Sequence, residues 1–227
     1  KSRARVPDNV DRMQRSTYSA PGKPAACDGG RADWGERQVV TATTPAADAA
    51  TEISSSDPAS WESFGGEVVG AQTACTPDGD VRLKIDEHPF RILVTQDTGD
   101  RLQAMGWELA SEDEYQALFA RLEKMGASPA HGNDAGARQR CVSEYFSALD
   151  PAGNPLEFYH TRTGHDGSFT SPLGVSGFVT GEMGVGHIVV PAAGRMEETQ
   201  AFYKAAMGFG DSDDLTITPP VEGIPKI

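Results

Sequence analysis

Three times along this chain a short apolar run leads into an amphipathic helical pattern that stops at a glycine. The helical stretches "SDPASWESFGGEVVG", "SEDEYQALFARLEKMG" and "EETQAFYKAAMG" end at Gly70, Gly126 and Gly208, 56 and then 82 residues apart. Glycine is the residue best suited to the left-handed turn that closes a helix, so the three stops mark equivalent points of a repeated unit. After the first two stops come strand-like runs: "DGDVRLKID" and "HPFRILVTQ" form one hairpin, and "SEYFSALD" and "NPLEFYHT" flank the turn "DPAGN" in another. A unit of one strand, one helix and several strands cannot cover its own sheet face, and such units pair to do so. The expected fold is therefore α+β, with two βαβββ units and the opening of a third, from "GVGHIVV" to "DDLTI", which is truncated.

The start signals are equally local. Asp57 precedes Pro58 as an N-cap, and Ser111 with Glu114 three residues on forms a capping box. Trp61, Phe64 and Val68 fall on one face of the first helix, and Tyr115, Leu118, Phe119 and Leu122 form the stripe of the second. Between the second helix and the second hairpin lies a polar loop. Residues 1–50, rich in Ala, Pro, Gly and Ser, bury too little apolar area to offset their ordering entropy and read as a disordered or non-homologous extension, with "RQVVTATT" a short strand at most. Residues 51–163 hold the paired units, 164–183 a glycine-rich connector, and 184–227 the third unit.

Composition removes several function classes. A net charge of −13 repels phosphate backbones and anionic headgroups, so neither nucleic acid nor a membrane surface is an expected partner. No apolar run reaches the roughly 20 residues that span a bilayer, and a cytoplasmic location is the default expectation. Cys27, Cys75 and Cys141, odd in number and widely spaced, read as reduced thiols.

His187 stands alone in the β-branched run "VGHIVV". Laying the third unit on the second places Trp107 of "MGWEL" at the same point, and the first unit has only "DAATEIS" there. An imidazole required by the fold would recur. Its absence from the other copies favours a specialised role for His187.

The run Gly177–His187, "GFVTGEMGVGH", followed by "AFYKAAMGFGDSDDLTI", resembles the start of the catalytic domain of type I extradiol ring-cleavage dioxygenases of the 2,3-dihydroxybiphenyl type. The motifs "DPASWESFGGEVVGA", "RLKIDEHPFRILV", "GWELASEDEYQALFARLEKMG" and "DPAGNPLEFYH" are similar to that family's non-catalytic N-terminal domain, in order. The family belongs to the vicinal oxygen chelate superfamily of paired βαβββ modules. The resemblance covers residues 55 to 227. It implies an oxidoreductase that opens a catechol-type ring beside the diol with Fe(II) and O2, Mn(II) being compatible with the same ligands. In that family three residues, two histidines and a carboxylate, hold the metal. The resemblance makes His187 the first of these ligands and sets Val189, two residues on along the strand, in the substrate pocket. The other two ligands and the acid–base histidine match nothing in this sequence, so no catalytic residue is assigned and the 227 residues are expected to be an inactive fragment of an enzyme that forms a homo-oligomer.

Other candidates weigh toward structure. Glu157 lies on the last strand, where glyoxalase-like members carry a metal-binding glutamate, but it has no histidine partner and is expected to be structural. His160, His165 and Asp166 sit in a glycine-rich stretch that does not pre-orient ligands. The alternative reading is a non-catalytic module that binds a small ligand or mediates subunit contacts. Phe202 and Met207, on the helix of the truncated unit, are expected to lack full cover.

Overall fold

A strand is stable only where its backbone groups find a partner, and the way the two units solve this sets the architecture. The computed structural model describes residues 47–164, 167–180, 184–185 and 188–211, with side chains from residue 50 onward. The first unit comprises β1 (Ala47–Ser55), α1 (Pro58–Ser63) continuing as a π-helical turn over Phe64–Val69, then β2 (Gln72–Cys75), β3 (Val81–Lys84) and β4 (Ile92–Gln96). The second comprises β5 (Arg101–Glu108), α2 (Glu112–Lys124), β6 (Ala130–His131), α3 (Asp134–Arg140), β7 (Phe146–Leu149) and β8 (Pro155–Tyr159). In each unit the first strand lies parallel to the last: β1 beside β4 and β5 beside β8. The two first strands then pair antiparallel, Glu52 opposite Ala104 and Thr51 opposite Met105. The described strands form one sheet in the order β2-β3-β4-β1-β5-β8-β7-β6, whose two halves repeat each other about the β1–β5 seam. This is the expected paired βαβββ arrangement.

The local signals act as expected at both helix starts. The Asp57 carboxylate accepts from Ser60 N, the Ser111 hydroxyl accepts from Glu114 N, and Glu114 reaches back to Ala110 N. Gly70, Gly126 and Gly208 all have positive φ. The face of the first helix differs from expectation: Phe64 and Val68 are exposed. The π-helical turn winds about one residue further per turn than an α-helix, so the inward positions become Trp61, Gly65 and Val69. A Cβ at Gly65 would stand 2.9 Å from Leu83 and Thr73, which shows how closely this turn lies on the sheet.

Three elements fall where no regular structure was expected, β2 and, within the polar loop, β6 and α3. The 37–44 stretch and residues 213–217 lie outside the described residues. β1 runs across the expected boundary at residue 50.

Side-chain alternation separates the sheet's two faces. Met105, Leu156 and Phe158 pack with Tyr115, Leu118 and Leu122 of α2, while Val81, Leu83 and Val94 pack beneath α1. The opposite parity, Ala50, Glu52, Leu93, Ala104, Gly106, Glu157 and Tyr159, lines the other face. Helix α4 (Met196–Met207) of the third unit joins the α2 side. Phe202, Ala206 and Met207 are buried in the same cluster as Tyr115 and Phe158, which corrects the expectation that this helix face lacks cover. The Arg121 guanidinium donates to the Ala206 carbonyl at 2.5 Å, and Trp107 meets Phe209 edge-on with ring centres 5.3 Å apart. Residues 188–190 form no strand; Ile188 and Val190 pack on this core as side chains without a backbone ladder.

Candidate functional site

The face of the sheet opposite α1 and α2 carries two carboxylates and is met by the short helix α3, whose Ala137 packs on Tyr159. Glu52 of β1 and Glu157 of β8 sit there by strand parity, and their charges need a partner because both side chains are about 85% buried. The partner is Arg140, the last residue of α3. Asn133 caps α3 by accepting from Gly136 N, and the helix ends at Cys141 in the left-handed conformation, which fixes where Arg140 points. Its Nε donates to Glu157 Oε2 at 2.5 Å and its Nη2 to Glu157 Oε1 at 2.7 Å; the same Nη2 also contacts Glu52 Oε2. Tyr145 lies over the guanidinium, 4.5 Å from ring centre to Cζ. Tyr145 itself rests on glycines: a Cβ at Gly132 would fall 2.0 Å from its ring, and one at Gly136 would fall 2.3 Å from its hydroxyl.

This triad borders a small inner cavity of about 40 Å3, lined also by His88, Phe90, Leu93 and Tyr159, and an open cleft of about 440 Å3 containing Gln103, Ser128 and Ser147. Burial pushes the Glu52 carboxyl up to about 7, with Glu157 and Asp80 adding to the rise and Arg140 opposing it. Burial and the nearby Arg91 and Arg162 push the His88 imidazole down to about 4, although Asp86 lies 3.0 Å away. Asp86 is itself lowered to about 2, because hydrogen bonds from Arg91 and the His88 backbone outweigh its burial. Three of the four Glu52 and Glu157 oxygens are engaged by one guanidinium, so this interior does not present an open ligand set to a divalent cation. Glu157 is engaged by Arg140 through both of its carboxylate oxygens. Among the described residues no group of three or more His, Cys, Asp or Glu side chains is placed to hold a metal.

The expected ligand His187 lies outside the described residues, as do His165 and Asp166. Val189 is described and is 87% exposed, with Ile188 and Val190 packed inward on either side of it. His160 stands 3.5 Å from Glu144 and edge-on to Tyr115, and His131 stacks on Phe119. Both belong to the α2 side of the second unit. Cys75 and Cys141 are in no disulfide among the described residues, and the Cys75 thiol donates to Glu62 Oε2 at 3.3 Å. No described helix is long and apolar enough to cross a membrane.

Residues 51–96, from β1 to the end of β4, match the family model described as dihydroxybiphenyl dioxygenase BphC D1. Over this stretch the chain is similar to the first domain of dihydroxybiphenyl dioxygenases. It is 32% identical over 174 residues to an iron-dependent extradiol dioxygenase of Rhodococcus jostii, a match covering 76% of this chain and 57% of the relative. It is 35% identical over 171 residues to a biphenyl-2,3-diol 1,2-dioxygenase of Paraburkholderia xenovorans, covering 73% and 56%. Among solved structures, a halotolerant catechol dioxygenase superposes with a TM-score of 0.67 at 30% identity over 74% of this chain and 56% of that one. A catechol 2,3-dioxygenase superposes with a TM-score of 0.71 at 25% identity, covering 78% and 63%. The chain thus spans a little over half the length of these curated relatives. The fold they share is the paired-module fold of the vicinal oxygen chelate superfamily.

Arg140 was not singled out from sequence. The signal available was Asn133 three residues before Gly136, a plausible cap inside a stretch whose glycines and short length hide a helix.

Proposed function

We propose that this chain is part of an enzyme that cleaves a catechol-type ring, such as that of 2,3-dihydroxybiphenyl, next to the diol, with Fe(II) and O2 as cofactor and co-substrate. In this reading residues 51–163 are a structural, non-catalytic domain, 164–183 a connector, and 184 onward the opening of the catalytic domain. His187 is one iron ligand and Val189 lines the substrate pocket. The observation that carries the reading is the agreement of identity above 30% over three-quarters of this chain with a superposable paired-module fold. The exposed Val189, with its inward neighbours anchoring the backbone, leaves one side of this segment available to further groups of the site. When bound, iron supplies a template for the diol and dioxygen and a path for electrons between them. Ile188, Val190 and α4 hold the described segment 188–190 against the second unit.

Oxygen uptake tests the proposal. The iron-loaded full-length gene product is expected to consume O2 with 2,3-dihydroxybiphenyl or a simpler catechol and to form a yellow ring-opened semialdehyde acid. His187→Ala should lose iron and turnover while keeping its circular dichroism. A wild-type product that binds iron but leaves every catechol intact overturns the reading, as does a His187→Ala variant with undiminished iron and turnover.

A further inference from the structure

The Glu52–Arg140–Glu157 triad has an uneven charge balance. Two buried carboxylates face one guanidinium, so full ionisation leaves a net negative charge in the interior, where neighbouring like charges are costly. The sharing is also unequal. Glu157 receives two of the guanidinium's hydrogen bonds, one to each oxygen, whereas Glu52 contacts only Nη2, which already serves Glu157. Glu52 is therefore the carboxylate that gives way. It also sits at the seam: its strand β1 belongs to the first unit and pairs with β5, while Arg140 and Glu157 belong to the second.

We propose that the triad is a proton-linked latch between the two units, in which Glu52 takes up a proton to tighten the β1–β5 seam and releases it to loosen the seam.

The surrounding groups leave Glu52 as the one that responds near neutrality. From the turn before β3, Asp80 adds negative charge and is bound by Gln139 Nε2 at 2.7 Å. From the β3–β4 loop, His88 is held neutral above about pH 4 and contributes no charge change between pH 5 and 8. After β8, Arg162 is paired with Glu108 at 2.8 Å. Tyr145, on the guanidinium face, has its phenol pushed up by burial and stays neutral. Cys141 and Tyr159 line the same cavity. Burial, reinforced by Glu157 and Asp80, raises Glu52 from 4.5 to about 7, so the folded state binds this proton roughly 300-fold more tightly than an unfolded chain. The sign follows: stabilisation by the proton is complete below the unfolded value of 4.5 and is lost as pH rises through 7.

Two measurements on the full chain test this. Carbon-detected NMR titration of the glutamate carboxyls should give one midpoint near 7, assigned to Glu52 through its backbone; this reading needs no variant. Amide exchange at the seam, Thr51 and Met105 among others, should show wild type losing about tenfold protection relative to Glu52→Gln between pH 6 and pH 8. The neutral glutamine holds the seam in its protonated-like state at both. A Glu52 midpoint in the ordinary carboxylate range overturns the proposal, and so does a wild-type to Glu52→Gln protection ratio that does not change with pH.

Discussion

Truncating Phe202 to alanine tests whether the third unit's helix is an integral part of the fold. Phe202 is 6% exposed and lies in the cluster that contains Tyr115, Leu118, Leu156 and Phe158. Removing a fully packed phenylalanine costs about 3–5 kcal/mol, the transfer term plus the cavity left behind. A helix that merely rests on the surface would lose within about 0.5 kcal/mol. The two outcomes are well separated, and the larger is a substantial share of the roughly 5–15 kcal/mol that stabilises a typical domain. Urea unfolding should be followed by circular dichroism and by tryptophan fluorescence, since Trp107 contacts Phe209 directly after α4 whereas Trp61 belongs to the first unit. The expected result for Phe202→Ala is a lower midpoint by both signals with an unchanged slope. The reasoning fails if the loss stays below about 1 kcal/mol, or if α4 melts in a separate early transition that leaves the rest unaltered.

Arg140→Met should cost about 3–5 kcal/mol at pH 8, because it strands Glu52 and Glu157 without a cation, and adding Glu52→Gln and Glu157→Gln should recover much of that loss. Denaturation midpoints decide it, with Arg138→Met on the exposed side of α3 as the reference; equal effects of the two arginine changes would refute a role for the triad. Gly132→Ala should displace Tyr145 from Arg140 and cost about 1–3 kcal/mol, because its methyl would lie 2.0 Å from the ring. The Tyr145 ring shifts in NMR report the displacement. Gly66→Ala, whose methyl meets nothing closer than 3.9 Å, should leave both stability and those shifts unaltered.

What could be foreseen was set by near neighbours in the chain. Ser111 and Glu114 are three residues apart, the helix-ending glycines act on their own backbone, and the alternation in "PLEFY" sorts Leu156 and Phe158 from Glu157 within one strand. Each of these is decided within a turn or a hairpin, so sequence alone reveals it. The triad is not of that kind. Arg140 reaches Glu52 across 88 positions and Glu157 across 17, and only the fold brings the three together. The face of the first helix failed for a subtler reason. A single π-helical turn shifts the inward spacing from Phe64 and Val68 to Gly65 and Val69, and no residue type in "FGGEVV" announces the change.

The repeat also explains why the third unit docks as it does. Copying a βαβββ unit leaves each first strand with one side taken by its own last strand and one side open. In the described sheet β1 has β4 on one side and β5 on the other, and β5 has β1 and β8. Both open sides are thus consumed in making the seam, and no first-strand edge is left for Ile188–Val190 to extend. Side chains must hold this segment instead, and they do: Asn154 Nδ2 donates to the Pro191 carbonyl at 3.0 Å, and the Tyr203 hydroxyl donates to Asp150 at 3.2 Å. Contact through side chains leaves the backbone donors and acceptors of residues 188–190 free of this sheet. A strand pairing there with another partner would not have to break any ladder of the first two units, which is what a further unit built beside a finished pair requires.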